Sequence, residues 1–262
     1  MSNNQTTKQV NKNIMNNSTN FTTTWIASFD IGSKNFCFYV EECDTNLLKN
    51  IKNIPSIHRY NPNGTPTDKM NDILNTIFKD GKTIIHENVD LTTNCSKGKY
   101  LDQNVLHNMT NMLDSYSHIW DKCSIIVVEQ QMSFRGKINT SALKIGQHCQ
   151  SYFLFRYGKF KTVIEYPSYH KTHILGAEKI NKGKTKAGKI KYVNIDKPAR
   201  KKWSVEKAKE ILTIRGETEH ILFSGKVKRA KKGLKSNSIK KDDLADTLTQ
   251  LASFKYLYFV DN

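Results

Sequence analysis

Trp25-Ile-Ala-Ser-Phe-Asp30 and Ser124-Ile-Ile-Val-Val-Glu129 are two short apolar runs, each closed by a single carboxylate. The second is rich in β-branched residues, the pattern of a strand covered on both faces of a sheet. A carboxylate ending such a strand is costly to leave without a partner, and two such ends ask for a common one. Parallel neighbours at the sheet centre would bring both to the edge at the strands' carboxyl ends, where open α/β sheets bind ligands. Either residue alone reads equally well as the start of an exposed loop.

Outward from the first run, Gly32-Ser33-Lys34-Asn35 supplies turn residues and Phe36–Val40 a second strand, making a hairpin. Residues 51–60 offer a third, less regular strand, placed at a sheet edge by Pro55. Residues 61–100 read as an insertion with a short helix near 68–78. Between Leu101 and Trp120 apolar residues recur at three- and four-residue steps, which predicts a helix with one buried stripe. A second helix is expected over 140–156 and a further strand over 160–166, stopped by Pro167. Residues 176–202 read as a lysine-rich loop, Ser204 as the cap of a helix running to about Leu212, and 226–241 as a basic connector. A last helix starts near Lys240 and turns Leu244, Leu248, Leu251 and Ala252 inward. The order predicts an α/β fold, a mixed five-stranded sheet flanked by helices.

That core occupies 21–262 as one domain, with insertions at about 61–100 and 176–200; residues 1–20, dominated by Asn, Thr and Ser, read as a disordered tail. The formal charge is +17, and it is regional: residues 156–241 hold 25 basic and 7 acidic residues, the remainder 16 and 17. Clustered Lys and Arg suit a polyanion such as nucleic acid, although a solvated basic surface would look the same. The five cysteines are scattered without a C-x-x-C pair, so neither a disulfide framework nor a zinc site is indicated, and a reducing compartment fits. No run is long enough to span a membrane and no signal peptide opens the chain, so no membrane partner is expected.

Lys241-Asp242-Asp243-Leu-Ala-Asp246 completes an acidic set. Asp243 and Asp246 share one face of the helix's first turn and would repel without a cation. Capping at a helix N-terminus is an alternative for Asp242 and Asp243. It accounts less well for Asp246, a charge placed among apolar residues. Asp30, Glu129, Asp243 and Asp246 together could hold two Mg²⁺ roughly 4 Å apart, one activating water and one steadying a leaving oxygen, a device that cuts phosphodiesters.

In these residues the chain resembles the RuvC-like Holliday junction resolvases of the ribonuclease H-like superfamily, and especially their poxvirus branch. Phe29-Asp30-Ile-Gly-Ser-Lys-Asn35 is similar to the family's first motif, Val128-Glu129-Gln-Gln to its second, and Lys241-Asp242-Asp243-Leu-Ala-Asp246 to its last. Glu165-Tyr-Pro-Ser-Tyr-His-Lys171 resembles the segment carrying a functional lysine, which points to Lys171, with Lys201 and Lys202 as competitors because 176–200 is longer than the bacterial pattern. Lys207 resembles a second basic position of the bacterial relatives.

The resemblance spans about 24–258 and implies a homodimeric Mg²⁺-dependent endonuclease, with Mn²⁺ able to substitute, that binds four-way DNA and nicks two strands symmetrically. Asp30, Glu129, Asp243 and Asp246 would be the metal ligands, Lys171 would steady the transition state, and Lys34, Arg135, Lys201, Lys202 and Lys207 would contact DNA. Helix 101–120 or 140–156 would supply the dimer interface. A cytoplasmic viral factory is the expected location, with mitochondria as the alternative. Two other readings stay open: a ribonuclease H-fold nuclease for another branched DNA or an RNA–DNA hybrid, and a non-catalytic DNA-binding protein.

Overall fold

The computed structural model describes residues 23–96, 98, 100–131, 139–218 and 241–261. The expectations for the tail 1–20, for Arg135, and for most of the basic connector lie outside the described residues.

Strand β1 (Thr23–Asp30) is the middle of a five-stranded sheet, and the strand order is β3-β2-β1-β4-β5. Strands β2 (Phe36–Asp44) and β3 (Lys82–Val89) run antiparallel on one side of it, while β4 (Cys123–Gln130) and β5 (Thr162–Pro167) run parallel on the other. This is a ribonuclease H-like sheet. The two carboxylate-ended runs are therefore adjacent parallel strands, with Phe29 in register with Val128.

Because side chains alternate across a strand, β1 and β4 feed two cores. Ile26, Tyr39, Ile125 and Val127 pack on one face beneath α2 (Asp68–Lys79), α7 (Lys197–Ile214) and α8 (Lys241–Lys255). Ala27, Phe29, Phe38, Ile126 and Val128 pack on the other, against α3 (Gln103–Ser115), the short α4 (Ser117–Trp120) and α5 (Thr140–Tyr157). At the heart of that second core the Phe29 ring lies 5.5 Å from Trp120 and 5.4 Å from Phe153. Phe29 is fully buried, so truncating it to Ala would cost about 3–5 kcal/mol. Phe153 is core as well, whereas Phe155 on the outer face of α5 is 90% exposed.

Three elements differ from the sequence-based expectation. Residues 51–60 hold no strand; Pro55 instead precedes a 3₁₀ turn at Ser56–His58, and α1 (Thr45–Lys49) leads into the segment. The third strand comes from within 61–100, as β3, together with α2. Residues 180–193 form a hairpin, β6 (Ile180–Lys184) and β7 (Ile190–Val193), rather than a loop. The helix assigned to a Ser204 cap starts earlier: Asp196 accepts from the Ala199 amide, Pro198 sits in the first turn, and Ser204 falls mid-helix. Between β5 and the hairpin lies α6 (Tyr169–Ile174).

The C-terminal ends of α7 and α8 are fastened to the sheet by buried charge. Glu41 on β2 pairs with Arg215 and with Lys255, each at 2.7 Å. Lys255 also meets Asp80 at 3.5 Å.

Candidate active site

Asp30 ends β1 and Glu129 is the penultimate residue of the neighbouring parallel strand β4, so the two carboxyl groups stand at the same end of the sheet, where each acts on the other's charge. Two carboxyl groups that close cannot both be fully charged without help. Burial, and after it the Glu129 carboxylate, pushes Asp30 well above the usual carboxylate range; the Lys171 ammonium opposes this without offsetting it. Glu129 goes the other way. Burial alone would raise it, but Lys171, and after it Asp30, hold it below its ordinary value.

Helix α8 brings the third carboxylate. The buried Gln250 amide donates to Ser28 Oγ at 3.0 Å and to the Phe29 carbonyl at 3.2 Å, tying the helix to β1 one residue before Asp30. Asp246 lies one turn N-terminal of Gln250 and so faces the strand end. His86 on β3 adds a second tie, its Nε2 lying 2.9 Å from the Leu244 carbonyl oxygen.

Lys171, on α6, links the two sources of acid. Its Nζ is 3.1 Å from Glu129 Oε1 and 3.4 Å from Asp246 Oδ1. Its side chain is 7% exposed, and although burial works against the charged form, Asp246, Glu129 and Asp30 raise the ammonium above the ordinary lysine range. Ser204 Oγ donates to Asp246 Oδ1 at 2.7 Å. Sequence reasoning took Ser204 for a helix cap and did not single out Gln250, because neither a serine in a helix nor a glutamine in an apolar stripe carries a local mark of a long-range partner.

Asp243 sits in the first turn of α8, and its negative field, with those of Asp30, Asp246 and Asp242, reaches the buried Cys37 thiol, which burial above all pushes up. Its neighbour Asp242 is engaged by Lys201. Despite a partial burial that would raise it, Asp242 is held below its ordinary value by that lysine. Lys202 is exposed beside Glu206, and Lys34 is exposed in the β1–β2 turn. Lys207 turns away from the carboxylates, 2.7 Å from Glu210 and over the Phe78 ring.

For a divalent metal the donor chemistry fits: carboxylate oxygens alone, the set preferred by hard cations. As placed, no three Asp, Glu, His or Cys side chains among the described residues are close enough together to hold an ion. The Lys171 ammonium stands among them as counter-charge. Glu129, Lys171 and Asp246 line a cavity of about 860 Å³. Arg200 and Lys179 line it too, and the lysines of the β6–β7 hairpin, Lys182, Lys184, Lys186, Lys189 and Lys191, are all exposed.

No family model matches the chain. The uncharacterized protein 170L of Invertebrate iridescent virus 6 is 34% identical over 260 residues, which span 90% of this chain and 91% of that protein. The chain belongs to the 170L family of iridescent viruses. Uncharacterized protein 97L of Invertebrate iridescent virus 3 is 28% identical over 238 residues, 88% of this chain and 98% of that protein. Among solved structures, this 170L-family chain is similar to the fowlpox virus resolvase in complex with its substrate Holliday junction DNA, with TM-score 0.44, 16% identity and coverage of 89% and 98% of the two chains. For Thermus thermophilus RuvC the values are 0.43, 13%, 89% and 95%. For the yeast mitochondrial Holliday junction resolvase Ydc2 they are 0.47, 13%, 96% and 85%. Among the described residues of this 170L-family chain, no helix is long and apolar enough to cross a membrane.

Proposed function

We propose that this protein is a divalent-metal-dependent endonuclease that resolves four-way DNA junctions. One observation carries the reading: β1, β4, α6 and α8 bring Asp30, Glu129, Lys171 and Asp246 to one end of the sheet, and Glu129, Lys171 and Asp246 line a cavity together with Lys179 and Arg200. Carboxylates alone would repel a phosphodiester, and lysines alone would bind it without cutting it. The motif resemblance to the RuvC-like resolvases supplies the junction as substrate, and with it the homodimer and the paired symmetric nicks.

Asp30, Glu129, Asp243 and Asp246 would hold the metal, two Mg²⁺ or Mn²⁺ ions in this reading. When bound, the metal supplies the positive charge that makes water a nucleophile at neutral pH and offsets charge on the leaving oxygen. Ser204 holds Asp246 in one rotamer through its hydroxyl, and Gln250 fixes the spacing between helix and strand. Lys171, buried and fully charged, is placed to steady the extra negative charge of the phosphorane-like transition state. Arg200, Lys201, Lys202 and the hairpin lysines grip the duplex arms through phosphates, so affinity falls steeply with salt and depends little on sequence. The outer face of α5, where Leu154 and Phe155 are exposed, is the surface available for pairing two copies. A cytoplasmic viral factory fits the viral relatives.

The test compares nicking of a four-way junction, a linear duplex and an RNA–DNA hybrid of equal length, with Mg²⁺ and with EDTA. Paired nicks confined to the junction and to Mg²⁺ are expected, with Asp246→Asn binding the junction but leaving it uncut. Undiminished cutting by that variant would refute the site, and preference for the hybrid would replace the substrate.

A further inference from the structure

One wall of the active-site cavity is aromatic, and phosphate binding does not account for it. Tyr169 opens α6 with 55% of its surface exposed, two residues before Lys171. Nearby, the rings of Tyr60 and His173 stack with centroids 5.8 Å apart and planes 28° apart. Trp203 and Asn194 line the same cavity as Glu129 and Asp246.

The wall is held rigid. Tyr60 donates its hydroxyl proton to the Ile174 carbonyl at 2.8 Å, which fixes the ring against α6. The loop carrying Tyr60 is fastened to the chain after α6 by the Lys179 amide, which donates to the Asn63 carbonyl at 2.7 Å. Gly176 lies at φ +73°, and a Cβ there would come within 2.2 Å of the Pro66 ring, so the two loops touch backbone to ring. Ring faces fixed in place beside a phosphate-cutting centre, with an amide next to them, are what an unstacked base requires: a flat surface to lie on and a donor–acceptor pair for its edge.

We infer that this wall is a nucleobase subsite: Tyr169 and the Tyr60–His173 stack receive one unpaired base from the centre of the branched DNA, and Asn194 reads its edge. The inference rests on the nuclease reading above and adds a source of cleavage-site preference to it. Base pairing is weakest where strands exchange, so a base there leaves its stack at least cost. Cutting would then favour the nucleotides that best fill the wall, while grip on the arms stays indifferent to sequence.

The test places 2-aminopurine at each central position of a four-way junction, bound by the wild-type chain in EDTA. One position is expected to change fluorescence on binding, and Tyr169→Ala is expected to abolish that change. With Mg²⁺, nicks mapped on junctions with randomised central bases should show a preference that Tyr169→Ala and Asn194→Ala each reduce about tenfold, the worth of one stacked or read base. Both side chains are exposed, and thermal unfolding verifies that the variants remain folded. If wild type cuts junctions but no central position responds, or the variants keep the wild-type preference, the subsite is refuted and the nuclease reading survives. A wild-type chain that neither binds nor cuts junctions removes both.

Discussion

Replacing Lys171 by Met should make the stability of this protein depend on divalent metal. The side chain is 7% exposed and stands 3.1 Å from Glu129 and 3.4 Å from Asp246, whose own side chains are 14% and 29% exposed. Removing one partner of a buried ion pair costs about 3–5 kcal/mol, because the opposing charge stays behind without compensation. The partial exposure of Asp246 places the cost at the lower end, about 3 kcal/mol. For a chain of this size that lowers Tm by about 6 °C in EDTA, at about 2 °C per kcal/mol. Any ligand confined to the folded state adds about 2.7 kcal/mol at a hundred times its Kd. With Lys171 gone, a divalent ion meets no competing ammonium, so Mg²⁺ should raise the variant's Tm by more than it raises that of wild type. Differential scanning calorimetry of both proteins across a Mg²⁺ titration measures the two shifts. Equal loss of Tm with and without Mg²⁺ would show that Lys171 contributes packing alone, and the carboxylate edge would lose its standing as a cation site.

Three further outcomes follow from the same geometry. Asp30→Asn should raise Tm in EDTA at neutral pH while abolishing cutting; because the folded carboxyl value is raised, Asp30's own contribution is present below its ordinary value of 3.8 and lost as pH rises, so the variant's advantage should vanish in acid. Gln250→Leu removes both hydrogen bonds to β1 and should cost about 1–3 kcal/mol in urea unfolding, with weaker Mg²⁺ protection because Asp246 is less firmly placed. Glu41 is held below its ordinary 4.5 by Arg215 and Lys255 in spite of its burial, so its stabilisation is present above that value and lost as pH falls through the lower folded value. Urea midpoints of Glu41→Gln should therefore lie well below wild type at pH 7 and approach it in acid.

The candidate site was legible in the sequence where the chemistry left a local contradiction. Asp30 and Glu129 close apolar runs, and Asp246 interrupts a helical stripe, so each is visible within six residues. The sheet's parallel pair was legible for the same reason. Strand β3 was not: in Lys82-Thr-Ile-Ile-His-Glu-Asn-Val89 polar residues outnumber apolar ones, as an edge strand permits, and its pairing with β2 is set by partners some forty residues away. The β6–β7 hairpin escaped notice because Lys, Gly and Asn are poor strand formers, and it forms on an exposed surface where packing selects nothing. Lys207 illustrates the opposite case, a residue singled out by resemblance whose helix turns it toward Phe78.

The separation of the acidic residues along the chain bears on the protein's biogenesis. Asp30 and Glu129 leave the ribosome first, but the edge they share stays short of ligands until the helix bearing Asp243 and Asp246 has been made and has docked through Gln250 and Lys255. In the reading proposed above, a chain ended before that helix would lack part of its carboxylate set, and synthesis from N- to C-terminus would arm the nuclease last.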